Sequence, residues 1–220
     1  MTVTAQHVAA MVESLEDDIV FGRLAPWQEL VEDALIARFD AKRHAVRAAI
    51  TLLVERGLVI KPPNKTARVK DLGVQEVQWL YQMRMLLSAS AVDLLPEVPD
   101  PAVVRQLKAV QAEYRRAIDA GSPRQIRIAN DRFHDLLFGM TQNPLLSEEL
   151  RRYTRMTDPI RSTGMVDAAW LKQAVKEHDA MIRALDKNDR TALKALVLGH
   201  MQPVRDRWLH NRQARVINED

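Results

Sequence analysis

Residues 32–57 contain two short runs of apolar side chains at helical spacing, and this stretch constrains the fold more than any other part of the chain. In each run the apolar residues recur three or four positions apart, so they share one helix face. The first run is Leu35, Ile36 and Phe39, and the second is Val46, Ala49, Ile50 and Leu53. The short gap between the runs predicts two helices joined by a tight turn.

The second of these helices carries basic side chains in its first turns, away from its apolar face. They are Lys42, Arg43, His44 and Arg47. A helix with cations on its exposed face can enter the major groove of DNA, and Arg43 and Arg47 would lie about one turn apart on that face. The alternative is an ordinary amphipathic helix with a solvated basic face, so the interpretation depends on the segments around it.

Charge is segregated around this helix, although the whole chain has a formal net charge of only +3. Residues 13–33 contain seven acidic side chains and one basic side chain, whereas residues 38–70 contain nine basic and two acidic ones. A concentrated basic segment is the electrostatic footprint of a phosphate-bearing partner. The charge pattern therefore favours DNA binding over a merely solvated face.

The segments on either side complete a winged helix-turn-helix. The predicted elements up to residue 70 are helices at 5–21, 31–38 and 42–56, then two β-type runs at 58–61 and 67–70. The two β-type runs flank a turn rich in Pro and Asn, so they predict a hairpin. Lys65 and Arg68 lie at its tip, where a wing meets phosphate or the minor groove.

The rest of the chain shows helical periodicity and no strand signals, which predicts an all-α antiparallel bundle. The predicted helices lie near 74–95, 101–120, 123–140, 144–158, 167–187 and 189–212, with breaks at Pro, Gly and Asn. Pro203 is expected to kink the last helix. The fold class is therefore mainly α, with a DNA-binding domain at residues 1–72 and an all-helical domain for effector binding and dimerisation at residues 73–220.

Several classes of protein are disfavoured by what the sequence lacks. It contains no Cys, no Gly-rich phosphate loop, no Gly-x-Ser-x-Gly and no His-Glu-x-x-His, so we expect that the protein is not an enzyme. The N-terminal segment lacks the basic and apolar regions of a signal peptide, and no apolar run is long enough to span a membrane. We therefore expect a cytoplasmic protein with no membrane partner.

Three histidines of the helical domain form a candidate metal site. Asn130 and His134 are four residues apart, so they share a helix face. His178 and His200 lie about ten residues before and about twelve after the break near Asn188, which places them at nearly the same height on antiparallel helices. Three imidazoles and an amide oxygen suit Zn²⁺ or Ni²⁺. The alternative for each histidine alone is a hydrogen-bonded core residue.

Residues 19–70 resemble the DNA-binding domain of GntR-type bacterial transcription regulators. The matching strings are IVFGRLAPWQEL, LIARFDAKRHAVRAAITLLVERGLV and NKTARV. The family's recognition helix begins with a Ser-Arg-Thr-Pro-Val-Arg-Glu-Ala-Leu-like run, and both of its arginines coincide with arginines here. The resemblance implies that Arg43 and Arg47 contact DNA. The positions that depart from the family pattern are Lys42, Ala45, Ala48 and Thr66.

Residues 74–213 resemble the FCD domain, the helical effector domain of the FadR subfamily of GntR regulators. The matching marks are Arg84, the Asn130-to-His134 element, Asn143-Pro144, Glu177-His178 and His200. The resemblance implies a divalent metal ion whose ligands are Asn130, His134, His178 and His200. It also implies a small carboxylate effector on the metal, and Arg84 is the candidate to pair with that carboxylate. Ser88 stands where the family often has a Glu.

These observations together predict a ligand-responsive transcriptional regulator, acting as a repressor. It would bind a double-stranded DNA operator as a homodimer and respond to a small organic acid, through a metal ion in the helical domain. Two alternatives remain at this point. One is a regulator for which the metal ion itself is the signal, and the other is a metalloenzyme that uses the histidine cluster as an open catalytic site.

Overall fold

The N-terminal part of the computed structural model is a helix-turn-helix supported by a preceding helix and a small sheet. The structure describes residues 3–219, with side chains for residues 5–214, and divides into two units, Met1–Gly73 and Val74–Asp220. The elements of the first unit are α1 (Val3–Val20), β1 (Glu29–Leu30), α2 (Glu32–Phe39), α3 (Arg43–Glu55), β2 (Val59–Ile60) and β3 (Ala67–Val69). The two helices at 32–57 therefore form as the apolar spacing predicted.

The turn between α2 and α3 follows from one left-handed residue. Asp40 ends α2 with φ 46° and ψ 48°, a conformation that Asp tolerates better than most residues. The amide of Ala41 then donates to the carbonyl of Ile36, and α3 begins after a turn of only three residues. Helix α3 packs its buried face against α1, and the fully buried side chains there include Leu15, Ile50 and Leu53. Burial on this face leaves the basic face of α3 exposed.

The sheet of the first unit has three strands in the order β1-β3-β2, and all neighbours are antiparallel. The sequence predicted only the two-stranded hairpin of β2 and β3. The additional strand pairs Glu29 with Arg68 and Leu30 with Ala67. Two residues are too few to show an alternating pattern, so this strand exists because of its long-range pairing with β3.

The second unit is all helical within the described residues. Its elements are α4 (Val74–Asp93), α5 (Pro101–Asp119), α6 (Pro123–Gly139), α7 (Pro144–Met156), α8 (Asp158–Arg161), a 3₁₀ turn (Ser162–Gly164), α9 (Ala168–Asp186), α10 (Arg190–His200) and α11 (Gln202–Glu219). Helices α5, α6 and α7 begin with proline, and Asp100, Asn143, Asp167 and Asp189 cap helix N-termini through their side chains. Proline and these caps explain why the breaks were visible in the sequence.

The kink predicted at Pro203 is confirmed: the last predicted helix divides at Met201 into α10 and α11, because Pro203 has no amide hydrogen to bond the carbonyl four residues back. One predicted helix boundary was wrong. The fourth predicted helix ends at Met156, and a short helix and a 3₁₀ turn follow it before α9. The mainly α fold, with a winged helix-turn-helix and a helical domain, is nevertheless confirmed.

The core of the second unit lies among α4, α5, α6, α9 and α10. Its fully buried side chains include Leu107, Phe133, Leu137, Met181 and Leu193. This core fixes the inner faces of α6, α9 and α10, from which the three histidines project. Among the described residues, no helix has the length and apolar character needed to cross a membrane.

Candidate metal centre and nucleic-acid interface

Three histidines from three helices meet inside the second unit. His134 comes from α6, His178 from α9 and His200 from the end of α10. The ring centroid of His134 lies 5.3 Å from that of His178 and 5.3 Å from that of His200, and the His178 and His200 centroids are 4.9 Å apart. One ring nitrogen from each residue lies within 4.8 Å of the other two. This is the spacing of side chains that can share one ion.

The ring of His178 is fully buried, and only one of its two nitrogens has a hydrogen-bond partner among the described residues. Its Nδ1 lies 3.1 Å from Oε1 of Gln111, and an amide oxygen can only accept, so Nδ1 donates the proton. The ring stacks on Phe133, with centroids 4.2 Å apart. Its Nε2 therefore carries a lone pair, and this atom is buried without a hydrogen-bond partner among the residues described. A buried polar atom left in this way is costly unless something binds it.

His200 is oriented by a carboxylate. Its Nδ1 lies 2.6 Å from Oε2 of Glu177. Burial favours the neutral form of Glu177, but hydrogen bonds from His200 and Gln173 outweigh burial and lower the pKa of this carboxyl. A histidine that donates one ring hydrogen to a carboxylate or amide and turns its other nitrogen inward is the usual arrangement around metal ligands. His178 and His200 both follow this arrangement.

The cluster is electrically suited to a cation. Burial lowers the pKa of His134 and of His178 well below 6.5, and the neighbouring imidazoles lower it further. Both rings are therefore neutral at pH 7, which is the form that binds metal ions. Neutral rings also keep their lone pairs available where they converge.

A cavity of about 70 Å³ adjoins the cluster and contains the other residues singled out in the sequence. Arg84, Asn130, His134 and His200 line it. Asn130 lies one turn before His134 on α6, and its amide nitrogen is 3.5 Å from a carboxylate oxygen of Asp131. The structure therefore places all four predicted metal ligands and the predicted effector residue in one region of the helical unit.

Arg84 is a buried guanidinium on the wall of this cavity. It is 8% exposed, and its guanidinium carbon lies 5.0 Å from the ring centroid of Tyr81. Within the part of the chain whose side chains are described, no carboxylate forms an ion pair with Arg84. Burial accordingly lowers the pKa of Arg84 from its ordinary value. A buried cation that no carboxylate contacts directly is a natural partner for an anionic ligand.

A second arginine of the cavity, Arg161, was missed in the sequence because α8 was not predicted. It donates to Asp131 at 2.5 Å and also bonds Asp158, whose other oxygen lies 3.4 Å from Arg127. Arg161 is thus bonded directly to two carboxylates, whereas no described carboxylate forms an ion pair with Arg84. The bond also engages the carboxylate of Asp131, which points this acid toward Arg161.

Trp170, near the start of α9, lies beside His200. The ring of Trp170 lies 5.4 Å from that of His200. Gly164 leaves room for this indole, since a Cβ there would come within 2.6 Å of Trp170 Cδ1 and 2.9 Å of Val204 Cγ2. The absence of a side chain at residue 164 therefore lets Trp170 pack against the cavity.

The basic residues predicted to contact DNA lie on the surface of the first unit. Lys42, Arg43, His44, Arg47, Lys65 and Arg68 are all exposed. Three acids of the same unit form ion pairs with the arginines among them: Glu32 and Asp33 with Arg43, Glu32 with Arg47, and Glu29 with Arg68. These acids were seen in the sequence only as a separate acidic segment, because their pairing depends on the fold.

Comparisons with known proteins identify the family of each unit. Residues 7–69 match the family model described as bacterial regulatory proteins, gntR family, and residues 79–203 match the FCD domain. The chain is 25% identical over 187 residues to the uncharacterized HTH-type transcriptional regulator YdhC of Bacillus subtilis, covering 84% of each protein. It is 23% identical over 206 residues to the HTH-type transcriptional repressor RspR of Escherichia coli, covering 94% of this chain and 89% of RspR.

Solved structures share the fold. The chain is similar to E. coli McbR/YncC with a TM-score of 0.80 at 19% identity, covering 97% of this chain and 100% of that one. It is similar to a GntR regulator from Rhodococcus sp. RHA1 with a TM-score of 0.71 at 17% identity, covering 97% and 98% of the two chains. At these identities the likeness concerns the fold alone.

Proposed function

We propose that a metal ion and a small organic acid in the helical domain control the affinity of this protein for DNA. The chain belongs to the gntR family of bacterial regulatory proteins and carries an FCD domain. The chain is a DNA-binding transcriptional regulator with an FCD effector-binding domain. The observation that carries the proposal is the buried, unpartnered Nε2 of His178 beside two further imidazoles.

The residues present fit a divalent metal ion. His134, His178 and His200 would bind it through ring nitrogens, and the amide oxygen of Asn130 would be a further ligand. Neutral imidazoles with an oxygen ligand suit Zn²⁺ or Ni²⁺. Gln111 and Glu177 support the set by fixing which nitrogen of His178 and of His200 bears the proton. When bound, the ion would supply a positive centre for an anionic ligand.

The proposed effector is a small carboxylate. Arg84 would pair with it, since this guanidinium lines the cavity without a carboxylate of its own among the described side chains. The cavity of about 70 Å³ has room for only a few water molecules in place of a ligand, which favours a small acid. Because the effector would bind between Arg84 and the metal ion, its affinity depends on both.

The proposed DNA contacts come from the first unit, residues 1–72 by our assignment. Arg43 and Arg47 would read base edges in the major groove, where a guanidinium can bind guanine bidentately. Lys42 and His44 at the start of α3, and Lys65 and Arg68 at the hairpin, would contact phosphate. Phosphate contacts fix the register of the protein, and base contacts supply specificity.

We further propose that residues 73–220 also dimerise. The outer face of α4 carries Trp79, Met83 and Leu86 at helical spacing, and they are 60%, 37% and 57% exposed. An exposed apolar stripe of this kind favours contact with a second copy. Two copies would then present two winged helices to the two halves of an operator in the cytoplasm. The name of RspR supports repression as the direction of control.

The test is DNA binding by metal-loaded protein, using a duplex that the wild-type protein selects from a randomised library. We expect at least one acid in a panel of small carboxylic acids to change the affinity for this duplex by about 5–150-fold. Arg84→Gln should remove this response and retain DNA binding, whereas the exposed Arg105→Gln should retain both.

If no acid changes the DNA affinity of the metal-loaded protein, the proposed effector class is wrong. If removal and return of the metal changes DNA affinity while no acid does, the ion itself is the signal. If the protein selects no duplex at low salt, the proposed DNA contacts are wrong.

A further inference from the structure

Glu32 lies at the centre of the cations that we assign to DNA. Both of its carboxylate oxygens contact Nε of Arg47, at 2.9 and 3.1 Å. One of them lies 3.4 Å from Nη1 of Arg43, and the other lies 3.6 Å from Nζ of Lys61. A single carboxylate therefore joins two residues of α3 to one beyond strand β2.

Glu32 is also well placed to keep this position. It begins α2, where a negative charge interacts favourably with the helix N-terminus, and its side chain is only 22% exposed. The hydrogen bond from Arg47 lowers the pKa of Glu32, so the side chain is an anion at neutral pH. It acts on the arginines as a fixed negative charge.

The contact to Arg47 uses one edge of the guanidinium and leaves another edge open. Glu32 accepts from Nε, and the two Nη groups of Arg47 make no hydrogen bond among the described residues. Bidentate recognition of guanine needs two N–H groups pointing the same way, and the Nη pair provides them. Glu32 thus binds Arg47 through Nε and leaves the two Nη groups of Arg47 available.

The same carboxylate weakens the attraction of these cations to phosphate. Binding to DNA of any sequence depends on cations that displace counterions from phosphates. A guanidinium already paired with an acid gains less from a phosphate oxygen, and the acid is itself repelled by the DNA backbone. Base contacts made by the outer end of Arg47 do not require the pair to break.

We propose that Glu32 is a positioning residue that sets DNA specificity: it orients Arg43 and Arg47 toward base edges and offsets their charge against phosphate. This inference rests on the proposed DNA role of these two arginines. Asp33, 2.7 Å from Arg43, and Glu29, 2.6 Å from Arg68, extend the same compensation to the neighbouring arginines. Glu32 is the only one of these three acids that contacts both arginines of α3 in the described structure.

The test compares Glu32→Gln with Glu55→Gln in the full-length protein. Both variants lose one negative charge, but Glu55 is exposed at the far end of α3, about 18 Å along the helix from Arg43. Two duplexes are used, one selected by the wild-type protein from a randomised library and one scrambled duplex of the same composition. Affinity is measured by fluorescence anisotropy across a salt series, after circular dichroism has shown that each variant is folded.

For Glu32→Gln we expect affinity for the scrambled duplex to rise about threefold to tenfold, with less gain or a loss on the selected duplex. The ratio between the two should therefore fall. The salt dependence on scrambled DNA should steepen by about one ion, because a cation freed from Glu32 contacts phosphate instead. Glu55→Gln should leave the ratio unchanged.

An unchanged ratio in a folded Glu32→Gln protein would overturn the inference, whether both affinities stay, rise together or fall together. The double variant Arg43→Ala with Arg47→Ala separates this failure from failure of the underlying assignment. If the double variant loses the selected duplex and Glu32→Gln keeps the ratio, only the inference about Glu32 is wrong. If the double variant binds as wild type does, the assignment of the two arginines is wrong as well.

Discussion

The two candidate sites of this molecule differ in how their charged and polar side chains are paired. On the surface of the first unit, the side chains of Arg43 and Arg47 are 54% and 59% exposed, and both are paired with acids of the same unit. In the helical unit, Arg84 is 8% exposed without a carboxylate partner among the described side chains, and His178 is fully buried with a free ring nitrogen. The two arginines of α3 are thus paired in the free protein, whereas Arg84 has no ion-paired carboxylate and Nε2 of His178 has no hydrogen-bond partner among the described side chains.

This difference separates the roles of the two sites. An exposed ion pair contributes about 0–1 kcal/mol and exchanges readily with another anion such as phosphate. A buried polar atom without a partner costs about 1–3 kcal/mol, and a ligand that satisfies it regains that free energy. We therefore expect changes at the surface to alter DNA binding with little effect on stability, and changes at the cavity to alter both stability and ligand binding.

The largest effect should come from the buried ion pairs beneath the cavity. Asp158 is fully buried and bonds both Arg127 and Arg161. Asp158→Asn removes a buried negative charge that two arginines contact, so the free energy of unfolding should fall by about 3–5 kcal/mol. Urea denaturation measures this change.

The matched control is Glu113→Gln, which removes one partner of the exposed pair with Arg132. Its free energy of unfolding should change by less than about 1 kcal/mol. Equal losses in the free energy of unfolding for the two variants would show that buried ion pairs contribute no more to stability than exposed ones in this protein.

The next effect concerns the surface site. Arg43→Ala combined with Arg47→Ala removes both guanidinium groups assigned to base edges, so affinity for a wild-type-selected duplex should fall by about 100-fold or more. The melting temperature should change little, because both side chains are exposed. Anisotropy and thermal unfolding measure the two properties, and Arg105→Ala with Arg116→Ala is the control with the same change in charge. Loss of DNA binding in the control would indicate that the effect comes from the change in net charge and not from these two arginines.

The pH dependence of stability should arise from the cavity. The pKa values of His134 and His178 are lowered in the folded protein, so below pH 6.5 the unfolded chain takes up protons that the folded chain does not. In chelator-treated protein, this lowers the free energy of unfolding by up to about 1.4 kcal/mol per pH unit for each histidine that stays neutral. Denaturation at pH 7.5 and pH 5.5 should show the loss, and His178→Gln should reduce it. A pH-independent difference between wild type and variant would contradict the lowered pKa of His178.

A smaller effect should follow from the residues that orient the histidines. Gln111→Ala removes the acceptor for Nδ1 of His178 without removing a ligand. Metal affinity should fall by about 10-fold to 100-fold, the range found for outer partners of metal ligands. A competition titration with a chelator measures the affinity. Gln106→Ala, on the same helix, should leave it unchanged, and an equal loss there would indicate a general effect on α5.

Much of the fold was predictable because its signals are local. Apolar spacing and breaks at Pro, Gly and Asn predicted most helices. The similar distances of His178 and His200 from the break near Asn188 predicted that these two side chains meet. Strand β1 was missed because it depends on long-range pairing with β3, and helix α8 was missed because four residues are too few to show helical periodicity. The ion pairs of Glu32 and the pair between Arg161 and Asp131 join separate helices, so no local pattern could show them.

Zinc titration tests the central claim most directly, namely that the uncompensated histidine cluster is a metal site. Chelator-stripped wild type, His178→Ala and His210→Ala are titrated by calorimetry, with His210 as an exposed histidine of α11 outside the cluster. We predict one zinc ion per chain for wild type and His210→Ala, and affinity weaker by at least about 100-fold for His178→Ala. Equal stoichiometry and affinity in wild type and His178→Ala would contradict the account.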